Sequence, residues 1–510
     1  MNHQSPTGNR TIAKNATMLY LRMFVSMIIG FYTSRVVLEA LGVSDYGIYN
    51  LVGGFVVLVN MVSTALNGAT SRFLTYSLGQ GVFKELQKTF STAVFIHIGL
   101  SLLFLILAET IGLWFVNYQL VIPLERLTAA NWVYQAAVIS TILGILQVPY
   151  NSLIISHERF SVFATIDILT SCLKLIIAII VLYSSYDRLI LYSLLYAFIT
   201  IAVIIFYRIY STHHFQESKL IFQIDWSIFR EMIRFSGWTL FGSTSLTLSQ
   251  QGTNIIFNNF YGTIINAAVG VANQVQAILY SFIGNISAAF NPQIIKEYAQ
   301  QNFERVDFLI NLGAKFSSLM ILLVSVPVIC EMETLMGWWL VEIPEGAVAI
   351  CQIALISNFF NSFTPLVYTA ITASGYVRYV NVANGILFLL RLPIAYFLLL
   401  YFHSYTLVLI VCLYIPIASG IINLINLNQC MPTLSIRRFI CKTYLPITLI
   451  GFFSLMIGLM LMNQIVSPTF RFISVFIFPA CFVFLAAYTF ILNEGERNTI
   501  KHLIKIIVHR

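Results

Sequence analysis

Apolar residues occur along this chain in long continuous runs. Each run has about the ~20 residues that a helix needs to cross the hydrocarbon core of a bilayer. The runs do not alternate between apolar and polar positions, so they predict helices rather than the strands of a closed barrel. The predicted spans lie approximately at 16–38, 47–70, 89–116, 129–152, 160–183, 188–210, 235–257, 264–290, 308–330, 345–373, 378–401, 404–427, 442–463 and 470–492. We therefore predict an all-α polytopic membrane protein of about fourteen transmembrane helices.

Basic residues support the same division of the chain. Most of the 28 Lys and Arg residues lie at the two ends or in the loops that follow even-numbered stretches. The loops after odd-numbered stretches, with the stretch ends beside them, hold only Arg35, Arg126, Arg188 and Arg471. The basic residues within the stretches include Arg22, Lys174 and Arg391. Because basic loops stay on the cytoplasmic side, we expect both termini to be cytoplasmic.

Composition excludes a water-soluble fold. Charged residues make up only 9% of the chain and hydrophobic residues 58%, whereas soluble domains carry roughly 25% charged residues. The net charge of +8 is spread over short loops, which indicates topology and contact with anionic lipid rather than nucleic-acid binding. The seven cysteines show no CxxC or metal-ligand spacing, and the chain has no GxxxxGK[ST] motif. We expect neither a cofactor nor a metal.

Polar intervals predict the domain organisation. The longest interval follows the sixth stretch and separates two sets of six. We predict an N-lobe of six helices over residues 1–210, a cytoplasmic linker over 211–234, a C-lobe of six helices over 235–428, and two further helices with a cytoplasmic tail over 429–510. Within the linker, residues 224–233 place apolar side chains at helical spacing, which predicts an amphipathic helix on the inner leaflet.

Two weak internal registers relate the two sets of six stretches. At an offset of 220, the pair Leu41-Gly42 meets Tyr261-Gly262. At an offset of 217, Asp167 meets Asn384 and Lys174 meets Arg391. Internal repeats of helical bundles are typical of transporters.

Several short segments carry a family resemblance. Residues 35–49 (RVVLEALGVSDYGIY) and 69–72 (ATSR) resemble the first half of the polysaccharide transporter family. Residues 251–262 (QGTNIIFNNFYG) and 291–296 (NPQIIK) are similar to its second half. These Wzx-type flippases of O-antigen and capsule synthesis belong to the superfamily that also holds the MATE drug exporters and the MurJ-type lipid II flippases. The resemblance implies two six-helix lobes in a V shape with two extra C-terminal helices.

The resemblance also implies a function and a location. It indicates a flippase that moves undecaprenyl-pyrophosphate-linked oligosaccharide from the cytoplasmic to the outer leaflet of the bacterial inner membrane by alternating access. The expected partners are that polyprenyl-pyrophosphate-linked glycan, membrane lipids and a polysaccharide polymerase or ligase.

Three other functions stay open. A MATE-like cation-coupled exporter of small molecules would need deep carboxylates, of which Asp167 is the main candidate. A MurJ-like lipid II flippase shares the superfamily. A membrane enzyme, such as a polymerase or O-acyltransferase, would need a catalytic loop. The outer loops are short and lack clustered His or Arg, so we expect a transporter and no enzyme.

Ionisable and amide side chains at membrane depth are the candidates for substrate binding, because each is costly there unless it is paired or wetted. Arg22, Lys174 and Arg391 are predicted to attract pyrophosphate. The predicted sugar contacts are Gln250, Gln251, Asn254, Asn273 and Gln274. The alternatives are snorkelling for Arg22 and hydrogen bonding between helices for the amides.

Two further groups are candidates for a coupling ion. Asp167 lies seven residues before Lys174, so both fall on one helical face and could compensate each other's charge. His97 titrates in the physiological range unless it is packed as a neutral ring. The acidic cluster after the ninth stretch, at Glu331, Glu333, Glu342 and Glu345, is interpreted as a solvated outer loop.

Overall fold

A computed structural model describes residues 6–118, 120, 122–222, 224–261, 263–340, 343–431, 435–492 and 497. Over these residues the chain consists of helices joined by short turns, with no strand. The prediction of an all-α fold is confirmed.

Eighteen α-helices are described. They are α1 Pro6–Gln80, α2 Phe83–Leu107, α3 Leu113–Tyr118, α4 Leu127–Ser156, α5 Phe160–Leu182, α6 Arg188–His214, α7 Trp226–Tyr261, α8 Thr263–Ala299, α9 Phe303–Cys330, α10 Met332–Trp339, α11 Ala347–Asn361, α12 Pro365–Ser374, α13 Val377–Phe402, α14 Tyr405–Val411, α15 Tyr414–Cys430, α16 Ile436–Phe439, α17 Leu445–Gln464 and α18 Pro468–Ala486. Three π-helical segments, Ala108–Gly112, Ile440–Tyr444 and Ala487–Ile491, extend α2, α16 and α18.

Most of these helices can span a bilayer. Within the described residues, ten segments are long and apolar enough, and the pair α11 and α12, bent by 43°, makes up to eleven. Every predicted stretch coincides with a helix, but the seventh and eighth lie in the polar helices α7 and α8. The second stretch, 47–70, falls mostly on residues whose side chains lie outside the described set. The number of fourteen therefore stays a prediction.

Gly42 interrupts α1 between the first two stretches. Its φ of 74° and ψ of 167° are non-helical. This backbone region is open almost only to glycine, because a Cβ would clash with the adjoining peptide groups. The single glycine therefore converts one long helical run into two helices.

The chain folds into two compact units, each described here by itself. One consists of Met1–Ser243 with Ile295–Gln300, and the other of Thr244–Ile294 with Gln301–Arg510. We call them unit 1 and unit 2. Unit 1 packs around buried residues such as Tyr134 and Phe90, and unit 2 around Phe363 and others. The boundaries predicted at 210, 234 and 428 stay a prediction.

The linker that follows α6 lies along α2 in unit 1. The Gln87 Nε2 donates to the Lys219 carbonyl at 2.9 Å, and the Ile221 N–H donates to the Ser91 hydroxyl at 3.0 Å. These bonds satisfy backbone groups of the extended stretch that follows the 3-10 helix Gln216–Ser218. The linker is therefore fixed in place over much of its length.

A histidine and a glutamate fasten the start of the linker. The His157 ring stacks on Phe215 at 4.3 Å, and its Nε2 lies 2.5 Å from the Glu217 Oε1. Burial by itself would raise the pKa of Glu217, but the hydrogen bond and the charge of His157, together with a backbone hydrogen bond, outweigh burial and hold that pKa below the usual value. The glutamate is therefore ionised at neutral pH.

The predicted amphipathic stretch at 224–233 is helical, but it is not a separate helix. Asp225 caps α7, accepting from the backbone N–H groups of Ser227 at 3.0 Å and Ile228 at 3.2 Å. The helix then continues from Trp226 to Tyr261. The cap marks a start, but nothing after it stops the helix before the seventh stretch begins.

In unit 2, α17 and α18 pack against α9. A Cβ on Gly451 would lie 2.8 Å from a methyl carbon of Leu322, and one on Gly458 would lie 2.6 Å from the Cys330 sulfur. Glycine therefore permits this close approach. Lys315, inside α9, donates to the Ile491 carbonyl at 3.2 Å, at the end of the segment that follows α18.

A buried ion pair joins the end of α9 to the start of α18. Arg471 of α18 donates to both carboxylate oxygens of Glu331, at 2.8 and 3.1 Å, and the Thr334 hydroxyl donates at 2.6 Å. The Glu331 side chain is 0% exposed. The interpretation of Glu331 as part of a solvated loop is therefore wrong, because a distant arginine covers it. Glu333 and Glu345 are exposed, and Glu342 lies outside the described residues.

Candidate functional site: deep charges and amides in each unit

Arg22 and Asp167 meet in unit 1. The guanidinium of Arg22, on α1, lies 4.9 Å from the centre of the Phe163 ring, and its Nη1 is 3.8 Å from the Asp167 Oδ2. The Ser26 hydroxyl donates to the same oxygen at 3.1 Å. Arg22 therefore has a specific place against α5, which snorkelling alone does not explain.

Lys174 has a different partner from the one that its spacing suggested. Its Nζ donates to the Tyr196 hydroxyl on α6 at 3.0 Å and lies 4.7 Å from the centre of that ring. Tyr196 lies beside Tyr192, which in turn meets Tyr49 edge to face at 5.3 Å. The compensation of Lys174 by Asp167 is not what the structure shows, because each group contacts a neighbouring helix instead.

His97 is packed inside unit 1. The residue is 1% exposed, and its Nδ1 lies 2.8 Å from the Ala93 carbonyl. Since a carbonyl can only accept, Nδ1 carries the proton, and the buried Nε2 finds no hydrogen-bond partner among the described residues. This geometry fits a neutral ring better than an ion carrier.

Arg391 is the predicted anion-binding residue of unit 2. It lies within electrostatic reach of the Cys412 thiol and of Tyr414. Its Nε is buried and has no hydrogen-bond partner in the described part of the chain. A guanidinium has five N–H donors in a planar fork. A bound anion could accept from those N–H groups of Arg391 that the protein does not use.

The predicted sugar-binding amides are mostly exposed. Gln250, Gln251, Asn273 and Gln274 are exposed, and Asn254 is half-buried. The only hydrogen bond that these five make within the described residues is from the Asn254 Nδ2 to the Gln251 Oε1, at 3.4 Å. A different amide joins helices in this unit, since the Gln276 Nε2 donates to Asn358 at 3.0 Å. Helix packing therefore does not account for the five.

Helix α7, which carries Gln250, Gln251 and Asn254, packs closely on α13, which carries Arg391. A Cβ on Gly252 would lie 2.6 Å from a methyl carbon of Leu392. Gly252 follows Gln251, and Leu392 follows Arg391. The close contact between α7 and α13 thus involves the residues next to Gln251 and Arg391.

The offset of 217 recurs in the contacts. Lys174 contacts Tyr196 on the next helix, and Arg391 reaches Tyr414, which is within one residue of the same offset. Two turns before Lys174 on α5, Asp167 lies within electrostatic reach of Tyr207. The Asn384 Nδ2 donates to the Asn423 Oδ1 at 2.9 Å.

Each unit thus repeats one polar arrangement on a pair of consecutive spans. Its charged members were recognisable from sequence. The neutral partners, Tyr196, Cys412, Tyr414 and Ser26, were not singled out from the sequence. No three His, Cys, Asp or Glu side chains in the described residues lie close enough to hold a metal ion.

Comparisons with known proteins agree on the fold. The MatE family matches residues 239–397. A crystallised MATE protein in complex with MaD3S superposes with a TM-score of 0.70 at 12% identity, covering 84% of this chain and 96% of its own. No protein in a search of curated sequences matches the chain.

Two further solved structures are similar. A MOP superfamily transporter from Pyrococcus furiosus, described by a reverse polarity of its binding pocket, has a TM-score of 0.67 at 11% identity and covers 85% of this chain and 96% of its own. The Vibrio cholerae MATE transporter VcmN in its bent form has a TM-score of 0.68 at 16% identity and covers 83% and 98%. The chain carries a MatE match over residues 239–397 and has the fold of the MATE transporters.

Proposed function

We propose that this chain is a membrane transporter that exports its substrate by alternating access. The observation that carries the proposal is the MATE transporter fold, which extends over 84% of the chain. The MatE match adds to it. Both support a MATE-like exporter, kept as an alternative above, more directly than they support a polysaccharide flippase.

The charges favour an anionic substrate. Arg22, Lys174 and Arg391 are three deep basic residues, whereas the carboxylate of Asp167 already has Arg22 as a neighbour. An exporter of cationic drugs would need an uncompensated carboxylate at this depth. The reverse pocket polarity described for the Pyrococcus furiosus transporter is consistent with a MATE fold that serves different charges.

A flippase for undecaprenyl-pyrophosphate-linked oligosaccharide is the specific candidate within that class. Pyrophosphate would use the basic residues, and Gln250, Gln251, Asn254, Asn273 and Gln274 would contact sugar hydroxyls. The support is that these amides are mostly exposed rather than spent on helix packing. In that case the protein lies in the bacterial inner membrane and delivers its glycan to a polymerase or ligase. A lipid II flippase of MurJ type shares this chemistry.

The driving force need not be a nucleotide. An anionic head group that moves outward follows an inside-negative potential, which is worth roughly 2.3 kcal/mol per charge per 100 mV. Antiport of an ion through Asp167 is the alternative. His97 suits this role less well, because its ring is buried and its Nδ1 is bonded to a backbone carbonyl.

The test is complementation in parallel strains. We expect the wild-type chain to restore surface glycan in a Wzx-null strain, and Lys174→Ala with Arg391→Ala to abolish it at normal protein abundance. Arg438→Ala is the matched control, since this arginine of unit 2 is 63% exposed. Arg391→Lys should retain less function than its charge suggests if phosphate is held by the planar fork.

Three outcomes would change the assignment. Resistance to cationic drugs without restored glycan would leave the MATE-like exporter and remove the flippase. Rescue confined to a MurJ-depleted strain would identify lipid II as the substrate. Normal glycan export by the double alanine variant would exclude the basic pair from binding.

A further inference from the structure

We infer that Asp167 is an internal counter-ion, which occupies Arg22 until the anionic group of the substrate displaces it. The inference rests on the proposed anionic substrate and adds how the site discriminates among anions. Its basis is the geometry around Arg22 and the difference between the two repeats.

The contact between the two groups is loose. Their closest nitrogen and oxygen are 3.8 Å apart, whereas charge-assisted hydrogen bonds measure about 2.7–2.9 Å. The same unit contains a tight example, since the Arg126 Nη1 lies 2.7 Å from the Asp187 Oδ2. Arg22 and Asp167 are therefore neighbours that attract each other without being locked together.

The two side chains are also positioned by contacts with different residues. Arg22 lies over the Phe163 ring, and Asp167 accepts from Ser26. The Asp167 side chain is 41% exposed against 21% for Arg22. Moving the carboxylate away would thus leave the guanidinium in place over the ring, ready to receive another anion.

The repeat shows that the carboxylate is specific to unit 1. At the offset of 217, Asp167 is replaced by Asn384, which bonds Asn423 at 2.9 Å. Arg391, the basic residue on the same helix as Asn384, forms no ion pair among the described residues. An amide therefore fits this position of the fold, while only unit 1 balances its cation with an acid.

A resident counter-ion has two physical effects. It lowers the cost of keeping Arg22 at depth in the empty transporter, because an unpaired charge there is expensive. It also sets a threshold, because a ligand must bind Arg22 more strongly than Asp167 does. A pyrophosphate, with more charge and more oxygens than a carboxylate, can meet that threshold by a bidentate contact.

The test measures binding to the purified full-length protein in detergent by isothermal titration calorimetry. The probes are farnesyl pyrophosphate, farnesyl monophosphate and inorganic pyrophosphate. We expect Asp167→Asn to bind farnesyl pyrophosphate about tenfold tighter than the wild type does, since the competing carboxylate is removed. Asp167→Asn should give no such gain in affinity in the Arg22→Gln background. In the protein with Arg22, the same substitution should raise the affinity for farnesyl monophosphate by at least as large a factor.

Matched variants separate this effect from a general loss of negative charge. Glu109→Gln removes another carboxylate of unit 1, whose contact is Gln135 at 3.1 Å, and should leave affinity unchanged. Asp167→Ser is a second neutral variant if the asparagine protein does not fold. Comparison of the farnesyl and inorganic probes tells whether the head group alone is recognised.

Each result has a definite meaning. If the wild type binds farnesyl pyrophosphate and neither Asp167 variant binds it more tightly, the counter-ion role is overturned while the anionic substrate stands. If no protein binds any of the three probes, the anionic substrate is itself contradicted, and the counter-ion role falls with it.

Discussion

Glu331 is held by two hydrogen bonds from Arg471 and one from Thr334, and its side chain is fully covered. Removing one partner of such a pair leaves an uncompensated buried charge, which costs about 3–5 kcal/mol. An exposed pair has no such cost, because water replaces the lost partner. Arg438 and Asp307, 3.9 Å apart in the same unit, are closer to this second kind, since their side chains are 63% and 21% exposed.

We therefore predict that Arg471→Met lowers the thermal unfolding temperature of the purified protein markedly. Arg438→Met should change the stability by about 0–1 kcal/mol, because that arginine is largely exposed. The measurement is intrinsic tryptophan fluorescence during heating in detergent. Equal shifts for the two variants would show that the buried pair contributes no more than a surface pair.

Single residues also show how far sequence reasoning reaches. Arg22, Lys174 and Arg391 stand out because charges are rare within apolar stretches. Their neutral partners do not, since a tyrosine or cysteine in such a stretch has no distinguishing pattern. Glu331 was placed in a solvated loop because its partner lies 140 residues further along the chain.

At the scale of an element, α1 depends on one glycine. A side chain at Gly42 would find nothing within 4 Å, so a substitution there tests the backbone conformation alone. We predict that Gly42→Ala destabilises the protein by about 1–3 kcal/mol, because its φ of 74° suits only glycine. Thermal unfolding checks this.

Gly30 is the matched control, in the same helix. A Cβ there would also meet nothing within 4 Å, but no positive φ is present. Gly30→Ala should be neutral or stabilise slightly, since alanine is the better helix former. A larger loss for Gly30→Ala than for Gly42→Ala would contradict the role of the kink.

Element boundaries were predicted unevenly. Long apolar runs identified α4, α5 and α6 well, because lipid requires nearly every residue of a span to be apolar. The start of α7 was missed, since its polar first turns look like a surface helix until Asp225 is recognised as a cap. Helices α7 and α8 carry many polar residues, and they were predicted as spans mainly because they lie between more apolar stretches.

For the whole molecule, the pattern of basic residues makes a prediction that the fold does not test. In a background without native cysteines, Glu345→Cys should react with a membrane-impermeant thiol reagent in intact cells. Lys219→Cys should react only after the cells are opened. Labelling of both sites in intact cells would contradict the orientation assigned by the positive-inside rule.

The helical membrane fold of the whole chain was predictable because the apolar runs are long, continuous and regularly spaced. The substrate was less so, because it depends on which faces of the helices carry polar groups. The solved MATE structures are covered to 96–98% but leave about a sixth of this chain uncovered. That share is comparable in size to residues 429–510, which contain α17 and α18.

The ion pair between Glu331 and Arg471 also bears on how the protein is made. Its members are separated by 140 residues, so at about 5–20 residues per second the ribosome delivers the arginine on the order of ten seconds after the glutamate. Until then Glu331 must remain hydrated, because a lone carboxylate is expensive in an apolar setting. This end of α9 can therefore reach its final packing only after the ribosome has passed Arg471, which makes the contact a late step in the assembly of unit 2.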